Sequence, residues 1–176
     1  MILLKRLKYL TLSAAFSCSL LLCGCGGNSL SEGENGLNFS DLSDANITIE
    51  HDGKVYDGKL CFTPEKVGSI KITSPEGIKD VVFSWENDKV KVSKENLSLE
   101  SDKPLLSSNS FVTCIVSVLN ALKDQENISE NLKDGDKYLI RGTCDCGKFE
   151  VILGMNNSIE KIKIPEKDLE VMVDIE

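Results

Sequence analysis

The chain has 176 residues and a net charge of −8, with 28 acidic residues against 20 basic ones. That balance disfavours nucleic acid and anionic lipid headgroups as partners. With one histidine, His51, the chain has little from which to assemble a histidine-based catalytic or metal site.

The N-terminus carries Lys5, Arg6 and Lys8, and then a mostly apolar run without a charge from Tyr9 to Leu22. This is the layout of a bacterial export signal, too short and wrongly flanked for a membrane span. Leu22-Cys23-Gly24-Cys25 resembles a lipobox: leucine at −3, small residues at −2 and −1, then cysteine. Cys18 follows the bulky Phe16 at −2, and Cys23 has Leu22 at −1, so both suit cleavage less well than Cys25. The motif implies cleavage before Cys25, a diacylglyceryl group on its sulfur, and attachment to the extracytoplasmic face of the cell membrane. Two or more acyl chains anchor stably, at about 0.8 kcal/mol per buried methylene. Removing residues 1–24 takes away three cations and no acid, which moves the net charge from −8 to −11.

Residues 25–37 then form the lipidated cysteine and a Gly-, Ser- and Asn-rich tether, with a typical reach of about 20 Å. Residues 38–176 suit one domain, large enough to bury a core without staples. Its first part alternates with a period of two. Ile47 and Ile49, Leu60 and Phe62, and Ile70 and Ile72 each alternate with polar neighbours. Asp52-Gly53 and Ser74-Pro75-Glu76-Gly77 read as turns. Val81, Phe83 and Trp85 form the next stripe, and Asn87-Asp88 turns the chain into Val90 and Val92.

From Ser110 to Lys123 the period changes. Phe111, Ile115, Val118, Leu119 and Leu122 share one helical stripe, broadened by Val112 and Val116. Ser108 or Asn109 is placed to cap this helix, and Ile128 to Leu132 could extend the helical region by a further turn. Alternation then returns in Tyr138 to Arg141, Lys148 to Leu153, Ile162 to Ile164, and Leu169 to Ile175. The expected fold is α+β and β-rich: a curved antiparallel sheet of about nine strands, an incomplete barrel, cradling one main helix.

In this order of elements the chain resembles uncharacterised lipoproteins of Gram-positive bacteria that are similar to the LolA and LppX type of half-barrel carriers. The segments carrying the resemblance are Gly68 to Gly77, Val81 to Val92, and the hairpin Tyr138 to Gly154 running into Ile162-Lys163-Ile164-Pro165. The resemblance implies a concave sheet, lidded by helices, that holds acyl chains. This chain offers one main helix, which could fill such a space instead of covering it.

Four cysteines lie in the exported domain: Cys61, Cys114, Cys144 and Cys146. They allow three full pairings, and export permits disulfides. Cys114 falls on the helix stripe and reads as a small buried hydrophobe; Cys61 lies opposite the Leu60 and Phe62 face. Cys144-Asp145-Cys146-Gly147 could hold a soft metal or act as a redox pair, but it also suits a hairpin turn. His51, beside Asp52-Gly53, reads as a solvated turn residue. No nucleophile elbow or phosphate-cradling glycine loop is present, and no cofactor is expected.

The expected function is therefore non-catalytic: a membrane-anchored exported lipoprotein that binds a lipid or other apolar small molecule between helix and sheet. Phe111, Ile115, Val118 and Leu122 would line that space on the helix, with Phe83, Trp85, Val171 and Val173 opposite. The alternative is a structural or interaction module of the cell envelope, bound to an envelope protein, with a solid core and no ligand pocket.

Overall fold

Period-two alternation produces more strands than the apolar stripes announce. The computed structural model describes residues 37–174 except 64, 66, 87, 88, 102–105, 126 and 136. The signal, Cys25, all but the last residue of the tether, and the Asn87-Asp88 turn lie outside the described residues. Eleven strands form one sheet that does not close. They are β1 (Ala45–His51), β2 (Lys54–Phe62), β3 (Val67–Ser74), β4 (Val82–Glu86), β5 (Lys89–Lys94), β6 (Leu97–Ser101), β7 (Ile128–Asp134), β8 (Lys137–Cys144), β9 (Gly147–Leu153), β10 (Ile159–Ile164) and β11 (Leu169–Asp174). Among the described residues one α-helix, α1 (Phe111–Asp124), joins β6 to β7. No helix among the described residues is long and apolar enough to cross a membrane.

The expected count of about nine strands is thus corrected to eleven. The two additions are the outermost strands, β6 and β7. Ile128 to Leu132 is not a further helical turn: it belongs to β7, paired with β8 in the register Leu132 to Leu139. Ile128 and Leu132 stand four apart, which suits a helix, but pairing with a preformed neighbour decides the outcome.

The strand order is β6-β5-β4-β3-β2-β1-β11-β10-β9-β8-β7, and every neighbouring pair is antiparallel. The chain therefore steps outward from β1 to one edge and crosses by α1 to the other edge. It then steps back inward until β11 pairs with β1, matching Ile47 with Val173 and Ile49 with Val171.

One face of the sheet carries the core. Ile47, Ile49, Leu60, Ile70, Ile72, Ile140, Phe149, Val151, Ile162, Ile164 and Val171 are buried there. Fully burying such a side chain is worth about 1.5–3 kcal/mol. The opposite face is polar and laced with ion pairs. Arg141 bonds Glu130 and Glu150 across β7, β8 and β9, and Lys161 and Lys163 both reach Glu170.

Helix α1 lies on the core face with Val112, Cys114, Ile115, Val118, Leu119 and Leu122 buried. Its N-cap is Ser110, without a capping side-chain bond, rather than Ser108 or Asn109. It ends at Gln125, whose left-handed backbone lets its N–H reach the Ala121 and Leu122 carbonyls. The first turn of α1 meets both halves of the sheet. The Phe111 ring meets Phe83 of β4 edge-on, at 6.0 Å between ring centroids, while Cys114 shares the Ser108 carbonyl oxygen with Cys146 of the turn between β8 and β9. Those strands stand six or seven places apart in the order, or about 30 Å on a flat sheet. One helical turn can touch both only if the sheet curls around it.

Candidate functional site

The helix covers the core face unevenly. Its backbone runs nearest β8, and most inward residues of β8 to β11 and β1 to β3 are buried, with Tyr56, Tyr138 and Cys144 half-buried at the margins. Past β3 the cover thins. Trp85 on β4 remains 4% exposed, but Phe83 beside it is half-buried. Val90 and Val92 on β5 are half-buried as well. On β6, Leu97 and Leu99 are 79% and 62% exposed.

Register places these residues on the core face. Ile70 pairs with Phe83, Phe83 with Val92, and Val92 with Leu99. Trp85 likewise pairs with Val90. Side chains directly opposite one another on antiparallel strands share a face. An apolar strip thus runs outward from the sealed core, through Phe83 and Val92, to Leu99 in open water. Phe111 marks where the strip meets the helix: its ring contacts Tyr56 of β2 at 5.1 Å, Phe83 at 6.0 Å and His51 at 6.1 Å.

His51 is accordingly not a solvated turn residue. Its side chain is 14% exposed and its ring meets Phe111 edge-on. The Asp52-Gly53 turn is present, with φ of 51° and 69°, so the hairpin swings the imidazole back onto the helix start.

Trp85 fits because its partner on β3 is Gly68. A Cβ there would strike the indole and approach the Cys61 carbonyl oxygen to 2.6 Å. The indole Nε1 is buried without a hydrogen-bond partner among the described residues. A donor left in such surroundings costs about 1–3 kcal/mol.

The residues expected to line a ligand space divide into two groups. Phe83 and Phe111 are brought together at the border of the strip, with Trp85 next to them. Ile115, Val118 and Val171 are fully buried, and Leu122 and Val173 nearly so, in the closed core beneath the helix. Reading the residues in sequence placed Val92 on a strand but not among the lining residues, and it missed Leu97 and Leu99 altogether. The alternation Leu97-Ser98-Leu99-Glu100 was the available signal.

Cys144 and Cys146 sit at the two-residue turn joining β8 to β9, where Cys144 pairs with Gly147. Cys146 and Cys114 are buried; Cys61 and Cys144 are half-buried. Among the described residues, no group of three His, Cys, Asp or Glu side chains is placed to hold a metal ion.

No protein-family model matches the chain, and no curated protein matches it. Among solved structures it is similar to an uncharacterized conserved protein from Thermus thermophilus, at 9% identity and a TM-score of 0.44, over 76% of this chain and 78% of that one. It is also similar to a LolA superfamily protein from Nitrosomonas europaea, at 11% identity and a TM-score of 0.36, over 72% of this chain and 68% of that one.

Proposed function

We propose that the protein is a non-catalytic, membrane-anchored lipoprotein that holds an acyl chain, or a similar apolar ligand, against the uncovered core face of β4 to β6. The single observation that carries this reading is the apolar strip Phe83, Val92 and Leu99, continuous with the core yet left open by the helix. An acyl chain is the favoured occupant for two reasons. The strip leads from solvent to the half-buried Phe83 and Phe111 rings, a path for a slender apolar chain. And a tether from Cys25 with a reach of about 20 Å holds the domain beside a bilayer, where acyl chains are abundant.

The test is titration of the full-length protein in detergent-free buffer with a fluorescent fatty acid. Saturable binding is expected. Leu99→Glu, which places a charge in the strip, should weaken it more than tenfold. Absence of saturable binding, or equal binding by Leu99→Glu, overturns the proposal.

One observation favours the second reading, an envelope interaction module. Strand β6 is a sheet edge with exposed leucines, and such an edge can add a strand from a partner. Recovery of a crosslinked envelope protein through β6, with no fatty acid bound, would select that reading.

A further inference from the structure

The cysteines pair differently in space from their order in the sequence. Cys144 and Cys146 are neighbours in the chain, yet Cys146 turns toward the helix. Its Sγ lies 3.5 Å from the Ser108 carbonyl oxygen, and the Cys114 Sγ lies 3.6 Å from the same oxygen. Two sulfurs thus converge on one acceptor oxygen. Both are buried.

We infer that Cys114 and Cys146 form a disulfide site, a covalent clasp between the first turn of α1 and the turn joining β8 to β9. The oxidant is an external disulfide. One cysteine thiolate attacks a sulfur of that disulfide and releases one thiol; the second cysteine then displaces the other half as a second thiol. The net change is two cysteine thiols oxidised to one disulfide, two protons passing to the released thiols, and one external disulfide reduced to two thiols.

The surroundings set how the clasp closes. Burial, and then the neighbouring Cys146 thiol, push Cys114 up to about 12, and burial also raises Cys146. Protonated, buried thiols attack slowly. Oxidation is therefore expected to be faster when the helix start opens, and the finished bond to resist reduction in the closed protein. Cys144, on the core-facing side of β8 and half-buried, remains a free thiol. The clasp adds to a contact already present, since Lys167 bonds Asn109 from the connection between β10 and β11.

This inference rests on the export reading only for the natural supply of oxidant, and the experiment separates the two. The full-length protein, fully reduced, is incubated with oxidised glutathione at mildly alkaline pH, with and without sub-denaturing urea. It is then alkylated and digested for mass spectrometry. The expected product is a Cys114–Cys146 linked peptide pair, two hydrogens lighter than the separate peptides, with Cys61 and Cys144 alkylated. Four alkylated cysteines, glutathione adducts alone, or a link between Cys144 and Cys146 overturns the inference. The linked protein should melt about 10 °C higher than the reduced one, a gain absent from Cys114→Ser and from Cys146→Ser. Equal melting of wild type and Cys114→Ser, both with and without reductant, would overturn it as well. The N-terminal peptide of protein recovered from an exporting cell reports acylation at Cys25 independently.

Discussion

The two edges of the sheet are built to opposite specifications. At β7 the core-facing positions past Ile128 are Asn131, opposite Ile140, and Lys133, opposite Tyr138. At β6 the corresponding face carries Leu97 and Leu99. Both edges are exposed, but one ends its core face in polar groups and the other continues it in leucine. On the β7 side, the strands just inside the edge lie under the helix. On the β6 side, the helix has moved away and nothing among the described residues replaces it. The position of one helix thus turns a single patterning rule into a closed core on one side and an open apolar surface on the other.

The largest effect should come from the closed half. Phe149 is 1% exposed and lies over Gly142, where a Cβ would meet its ring at 2.5 Å. Phe149→Ala should cost about 3–5 kcal/mol, read from the urea midpoint of the full-length protein. A loss below about 1 kcal/mol would mean that this half is not sealed.

Gly68→Ala probes the border next. The added carbon would press on the Trp85 indole and on the Cys61 carbonyl, and the carbonyl is backbone that cannot simply swing aside. Overpacking of this kind costs about 1–3 kcal/mol. Trp85 is the single tryptophan, so its emission should shift to the red as the ring is driven outward.

The open half should answer differently. Leu99→Ala should leave stability within about 0.5 kcal/mol, yet weaken fatty-acid binding by about 1 kcal/mol, through the methylenes removed from the contact. If its cost to stability approaches that of Phe149→Ala, the two halves are not different.

The smallest effect belongs to the polar face. Hydrogen bonds from Lys161, and then from Lys163, hold the Glu170 carboxyl below its ordinary range. A depressed carboxylate pKa contributes stability above the unfolded value, near 4.3, that is lost as pH falls through the folded value. Glu170→Gln should therefore flatten the acid limb of a stability profile by less than about 1 kcal/mol, since the group is a third exposed. The difference between wild type and variant should vanish at the acid end.

How much of this was legible in the chain follows the same division. The helix was readable because Phe111, Ile115, Val118, Leu119 and Leu122 hold one stripe, and the observed limits differ from the expected ones by one residue at each end. The nine strands expected are those whose apolar stripes, or whose adjacent hairpin turns, stand out. The missed strands were the edges, where half or fewer of the neighbours impose a pattern. At β7, Asn131 and Lys133 occupy core-facing positions and erase the alternation; at β6, two leucines in five residues are a thin signal. The candidate site was legible only in part. Phe83, Trp85 and Phe111 were identifiable as apolar and periodic, but whether such residues are sealed or open depends on where the helix settles. The convergence of Cys114 and Cys146 depends on the curl of the sheet, which no local pattern encodes.

The seam between β1 and β11 has a consequence for assembly. The strands at its centre come from opposite ends of the described fold, and the helix that spans the cradle lies between them in the chain. Neither set of strands meets the other until β11 has been made, so the final joining brings together segments more than a hundred residues apart. Until then, β1 and its five successors present a naked inner margin to the surroundings, and a polypeptide in that condition is prone to wrong pairing. The central seam thus holds the longest-range pairing of the sheet, and truncating its buried residues should both weaken the finished protein and lengthen the time its two halves spend apart.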